Sequence, residues 1–93
     1  MLKQLFEIIE SRKAAMPEGS YTAQLLAAGE QKILSKIAEE SAELIRAAEQ
    51  EGDRRVVEEL ADLFYHTLVL LAVRGLSFED LEAELRRRHS RTE

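Results

Sequence analysis

Val56-Val57-Glu58-Glu59-Leu60-Ala61-Asp62-Leu63-Phe64-Tyr65-His66-Thr67-Leu68-Val69-Leu70-Leu71-Ala72-Val73 is a helical run of two characters. Its second half, from Leu68 on, is apolar on every side, so a helix built from it must be surrounded by other helices. Its first half carries Glu58, Glu59, Asp62 and His66, and each acid at the centre of a bilayer costs about 2.5–3.5 kcal/mol. A membrane span is therefore excluded, and the run predicts the central helix of a water-soluble bundle.

Asp53 is the expected N-cap of this helix over 54–74, and Gly75 ends it. Upstream, Ile33, Ile37, Leu44, Ile45 and Ala48 recur with a helical period from residue 30 to about 51, with Gly52 expected as a left-handed C-cap. Leu2, Leu5, Phe6 and Ile9 form the stripe of a first helix that stops before Pro17 and Gly19. The loop Pro17-Glu18-Gly19-Ser20-Tyr21-Thr22 caps a short helical stretch through Leu26, with Gly29 punctuating the entry to the next element. Downstream, Ser77-Phe78-Glu79-Asp80 reads as a capping-box start for a last helix that carries Leu81 and Leu85 on one face. Arg86-Arg87-Arg88-His89 follows, read either as a solvated helix end or as a phosphate clamp. No strand pattern, repeat or low-complexity tract interrupts the series, so the fold class is all-α, a bundle of four to five helices.

The chain's 93 residues predict a single domain, 1–93. A domain this small buries only a little over about 60% of its unfolded surface, and a fully apolar helix in it calls for more cover than one copy provides. Homodimerisation is the expected completion of the bundle. The start of the chain lacks the basic and continuously apolar regions of a signal peptide, and there are no cysteines, which together predict a cytoplasmic protein. Thirteen Lys and Arg against eighteen Asp and Glu leave a net charge of −5, which argues against a nucleic-acid partner. Without thiols, any metal has to be held by oxygen or imidazole.

Acidic residues concentrate on the second and third helices. At about 100° per residue, Lys32, Lys36, Glu39, Glu40 and Glu43 fall in one stripe beside the apolar face, and Arg55, Glu59, Asp62 and His66 share another. One reading is an ordinary solvated face with i,i+4 pairs, and for Asp62 and His66 a satisfied core pair. The other has the two stripes facing each other, where four or five acids repel unless a hard divalent cation neutralises them. Asp62 and His66 are four apart and Glu40 and Glu43 are both acids, so the Glu-x-x-His pairs of di-iron bundles are absent. An oxygen set of this kind suits Mg²⁺ or Mn²⁺. Mg²⁺ commonly completes its shell with substrate phosphates, which points to a polyphosphate substrate contacted by Lys32 and Lys36. No P-loop is present.

Lys36-x-x-Glu39-Glu40-x-x-Glu43 followed by Glu59-x-x-Asp62 resembles the paired acidic motif of the all-α nucleoside triphosphate pyrophosphohydrolases. With Ser20-Tyr21-Thr22-Ala23-Gln24-Leu25-Leu26, Gly29, Lys32-Ile33 and Glu58 to His66, the likeness narrows to the phosphoribosyl-ATP pyrophosphatase family and runs from about Leu2 to His89. The resemblance implies hydrolysis of phosphoribosyl-ATP to phosphoribosyl-AMP and pyrophosphate in the second step of histidine biosynthesis, with Mg²⁺, in a cytoplasmic homodimer. It implies Glu40, Glu43, Glu59 and Asp62 as metal ligands, with Glu39 a further ligand or the group that orients the attacking water. Lys36 would stabilise developing phosphate charge, and Ser20, Tyr21, Thr22, Lys32 and His66 would contact substrate, His66 alternatively acting through a ligand or in packing. A fused cyclohydrolase activity would need cysteine zinc ligands, so a stand-alone pyrophosphatase is expected. Two rivals remain: a house-cleaning pyrophosphohydrolase for other nucleotides on the same scaffold, and a non-catalytic helical dimerisation module.

Overall fold

The computed structural model describes residues 1–92, with side chains through His89. Five α-helices follow one another: α1 (Leu2–Ala15), α2 (Tyr21–Ala28), α3 (Glu30–Arg46), α4 (Asp53–Val73) and α5 (Phe78–Thr92). The all-α bundle expected from the sequence is the observed architecture. Helices α3 and α4 form an antiparallel hairpin, and α1 and α2 pack across it.

The helix ends show why the elements begin and stop where they do. Ser20 Oγ accepts from the Ala23 amide at 3.1 Å and so caps α2, which places Tyr21 and Thr22 in the helix and not in the preceding loop. Ser77 and Asp80 form the expected reciprocal box, Asp80 N–H donating to Ser77 Oγ at 3.1 Å and Ser77 N–H to Asp80 Oδ2 at 2.9 Å. Between α3 and α4 three expectations are corrected. Helix α3 ends at Arg46 and winds into a π turn, Ala47–Glu51, and Gly52 has φ 95° with ψ 173°, an extended mirror-image conformation and not the left-handed helical one. Only glycine adopts that conformation without strain, and it reverses the chain at once into α4. Gly52, not Asp53, is consequently the N-cap, while Asp53 sits inside the first turn where its charge complements the helix dipole.

The core is a single cluster drawn from every helix: Phe6 and Ile9 of α1, Leu25 of α2, Ile33 of α3, Leu68, Val69 and Ala72 of α4, and Phe78 of α5. Ile9, Ile33 and Val69 are sealed from solvent, and the Phe6 and Phe78 rings meet at 6.1 Å. Two polar ties hold the far end of the hairpin: Lys13 Nζ donates to the Ala72 carbonyl at 2.7 Å, and Arg74 grips both carboxylate oxygens of Glu30 at 2.9 Å. Helices α1, α2 and α3 all contact α4; from Leu68 to Val73 its residues are buried or half-buried, as expected, whereas Val57 and Phe64 in its first half are exposed. Among the described residues no helix is long and apolar enough to cross a membrane.

Truncating a sealed side chain leaves a cavity that the surrounding helices only partly close. Ile33→Ala is expected to lose about 2–5 kcal/mol in urea unfolding at matched protein concentration. The solvent-facing Gln31→Ala is expected to change stability by less than about 0.5 kcal/mol.

Candidate active site at the crossing of α3 and α4

Helical phase sorts the acids of α3. Glu40 lies seven residues after Ile33 and three after Ile37, on the apolar face, and is buried, whereas Glu39, one step round the helix, is exposed. Glu43 is half-buried, Lys36 is half-buried with its Nζ 3.8 Å from Glu39, and Lys32 is exposed. On α4 Glu59 is the most deeply placed acid, its side chain only 3% exposed, while Asp62 is exposed. The structure thus brings Glu40, Glu43 and Glu59 between the two helices, with Asp62 near enough for its charge, with that of Glu59, to act on Glu40.

Each buried acid has one close polar neighbour and one oxygen without a hydrogen bond. Arg55 NH2 donates to Glu59 Oε1 at 2.6 Å, and Glu59 Oε2 has no donor. Glu40 Oε1 lies 2.6 Å from His66 Nδ1 but off the N–H direction, so it too lacks a hydrogen bond. That N–H points to the main-chain carbonyl of Asp62 at 3.0 Å, and since a carbonyl only accepts, Nδ1 carries the proton. In the neutral ring Nε2 then accepts from the Tyr21 hydroxyl at 3.1 Å. Desolvation raises the Tyr21 phenol above its ordinary value in spite of nearby Lys36, which keeps it a neutral donor.

A chain of contacts therefore runs from α2 through α4 to α3: Tyr21 to His66 to Glu40. It is braced by a hydrogen bond between the hydroxyls of Thr22 and Tyr65 and by the stacked Tyr21 and Tyr65 rings, 6.2 Å apart. Ser20, expected as a substrate contact, accepts the Ala23 amide through its hydroxyl oxygen and so caps α2. Arg55 lies on the acidic stripe of α4, where helical phase alone names no partner for it. Its position four residues before a buried glutamate was the available signal.

Electrostatics follow from this crowding. Burial raises the Glu40 carboxyl above the usual range, the neighbouring His66 opposing and the charges of Asp62 and Glu59 adding to it. Glu43 is also raised, by the nearby carboxyl of Glu59 and its charge. Glu59 Oε2 is buried without a donor, a deficit that a cation would relieve. Among the described residues no three acids or histidines are placed closely enough to hold a metal ion. The donor chemistry nevertheless fits one. The buried oxygens without partners belong to carboxylates, the ligands that Mg²⁺ and Mn²⁺ prefer, and the half-buried Glu43 stands beside them.

A carboxyl whose pKa is raised on folding costs stability when ionised, and the cost vanishes as pH falls through the raised value toward the ordinary one of about 4.3. In chelator-treated protein Glu43→Gln is therefore expected to melt above the wild type near neutral pH, with the gap closing as the solution is acidified. A variant that melts below the wild type near neutral pH contradicts the repulsion between Glu43 and Glu59.

Comparison with known proteins agrees with this arrangement. The family model for phosphoribosyl-ATP pyrophosphohydrolase matches residues 2–89. The phosphoribosyl-ATP pyrophosphatase of Pelotomaculum thermopropionicum is 50% identical over 91 residues, covering 98% of this chain and 93% of that protein. The protein of the same name from Natronomonas pharaonis is 54% identical over 90 residues, 95% of this chain and 89% of that one. A histidine biosynthesis bifunctional protein of Bacteroides thetaiotaomicron is 44% identical over 91 residues, 98% of this chain and 45% of its own length. Matched from its first helix into its last, with the acid-bearing hairpin between, the chain belongs to the phosphoribosyl-ATP pyrophosphohydrolase family.

Proposed function

We propose that this chain hydrolyses phosphoribosyl-ATP to phosphoribosyl-AMP and pyrophosphate, the second step of histidine biosynthesis, with Mg²⁺ as cofactor and Mn²⁺ able to replace it. Membership of the family names the reaction. The observation that carries the site assignment is the pair of buried carboxylates with unsatisfied oxygens, Glu40 and Glu59, at the crossing of α3 and α4.

Glu40, Glu43, Glu59 and Asp62 would hold the ion. A divalent cation there supplies the positive charge that admits a polyphosphate to an acidic protein and lowers the pKa of water. The chain's own side chains do the rest. Glu39, exposed at the rim, orients the attacking water toward the α-phosphorus and takes its proton as the phosphoanhydride bond breaks and pyrophosphate leaves. Lys36 and Lys32 stabilise phosphate charge from the same helix. The N-terminus of α2, with Ser20, Tyr21 and Thr22, contacts the nucleoside part, Tyr21 offering an exposed ring already hydrogen-bonded to His66.

The working unit in this reading is a single domain, 1–93, paired as a cytoplasmic homodimer. Two quantities support pairing. The radius of gyration is 14.6 Å against about 12 Å for a compact domain of this length. The accessible surface is 6422 Å² against about 5,500 Å² for a folded monomer of this mass. The surface includes an apolar groove between α1, α4 and α5 lined by Leu2, Phe64, Leu68, Leu81 and Leu85.

Three measurements test the proposal. Pyrophosphate release with Mg²⁺ is expected to favour phosphoribosyl-ATP over dUTP and dCTP, and preference for either free nucleotide moves the chain to the house-cleaning reading. Glu43→Gln and Asp62→Asn are expected to lower turnover on the order of 10²-fold or more while the far-ultraviolet circular dichroism is unchanged. Sedimentation equilibrium is expected to give twice the chain mass, and a monomer at micromolar concentration contradicts the paired unit.

A further inference from the structure

Arg55 occupies a position that the proposed reaction leaves unused. Its guanidinium touches three carboxylates: Glu51 at 3.6 Å, Glu58 at 2.5 Å and Glu59 at 2.6 Å. These partners differ in what they would lose without it. Glu51 and Glu58 are more than a third exposed and solvated, and Glu58 keeps Arg54 at 3.4 Å. Glu59 is 3% exposed and, among the described residues, has no other ion-pair partner. Arg55 itself is 42% exposed, so its side chain lies between solvent and the buried acid.

A carboxylate taken out of water is stable only when something compensates its charge. In the metal-free protein that group is Arg55, which engages Oε1, while Oε2 is buried without a donor. A cation that enters the cluster meets Glu59 already half-neutralised, and its observed affinity is the intrinsic affinity reduced by the work of loosening the pair. Glu51 and Glu58 remain as solvated partners for the displaced guanidinium, which makes the exchange feasible without leaving Arg55 unpaired.

We propose that Arg55 is a built-in counter-ion for Glu59 that stabilises the empty site, competes with the divalent cation and so sets the site's affinity for it. The inference rests on the reading of Glu40, Glu43, Glu59 and Asp62 as the ion's ligands. It goes beyond that reading by giving a non-ligand side chain control over metal loading. The role differs from one in which Arg55 merely orients Glu59 for the ion, because the two make opposite statements about what its removal does.

The test is calorimetric titration of Mn²⁺ into chelator-stripped protein, paired with melting temperatures with and without Mn²⁺. Arg55→Gln is expected to bind Mn²⁺ about 3- to 10-fold more tightly than the wild type, as removal of one unit charge a few ångströms away predicts. Its metal-free melting temperature is expected to fall and its Mn²⁺-induced rise to exceed that of the wild type. Arg55→Lys, which keeps the charge without the two-pronged grip, is expected to lie between the two and serves if the Gln variant does not fold. In a Glu59→Gln background the gain from Arg55→Gln is expected to vanish, which assigns it to this pair. If the wild type binds Mn²⁺ and Arg55→Gln binds it equally or more weakly, the counter-ion role is overturned and the ligand assignment stands. If neither the wild type nor any variant binds Mn²⁺, the ligand assignment falls and the counter-ion role falls with it.

Discussion

Two carboxylates buried between α3 and α4 are the constraint around which the molecule is arranged. Glu40 reaches the interior because it shares a helical face with Ile33 and Ile37, which the core requires, and Glu59 lies two turns before the buried His66 on the inward side of α4. Having been carried inside, each acquires a compensating neighbour: His66 lies against Glu40 and Arg55 grips Glu59. The remaining polar architecture extends from those two contacts. His66 is held by the Asp62 carbonyl and by Tyr21, and Tyr21 leans on Tyr65, which is tied to Thr22.

This arrangement separates stability from function along the length of the hairpin. The end near Ala72 and Phe78 is packed with apolar side chains and fastened by Lys13 and the Arg74–Glu30 pair. Toward the middle and the π turn, acids replace them, and two carboxylate oxygens remain without donors. Sites that are incompletely satisfied in the fold are where a ligand finds free energy to release, and a helical hairpin anchored at its far end can hold such a site open. Burial accounts for the upward displacement of the Glu40 carboxyl, with the neighbouring acids adding to it, and the closeness of Glu59 for that of Glu43.

Much of this was legible in the residues. The two-character run of α4, the Ser77–Asp80 box and the proline and glycine stops give the helices nearly to the residue, since each rests on local chemistry. The facing of the two acidic stripes was expected, and phase alone accounts for Glu40 turning inward while Glu39 does not. What no local pattern contains is the register of α3 against α4. The contact of Glu40 with His66 and the closeness of Glu43 to Glu59 depend on how far one helix slides along the other. The π turn and the extended Gly52 set that slide, and both were read from the sequence as ordinary helix and ordinary cap. Arg55 stands four residues before Glu59, visible as a pair but not as the chief compensation of a buried charge.

The account stands on the two buried carboxylates being half of a divalent-cation site and not a sealed polar contact. Anomalous diffraction from crystals soaked in Mn²⁺ tests this most directly. The expected result is a manganese peak between α3 and α4 with carboxylate oxygens of Glu40 and Glu59 in its coordination shell. A map with no manganese there, Glu59 still held by Arg55 and Glu40 by His66, contradicts it.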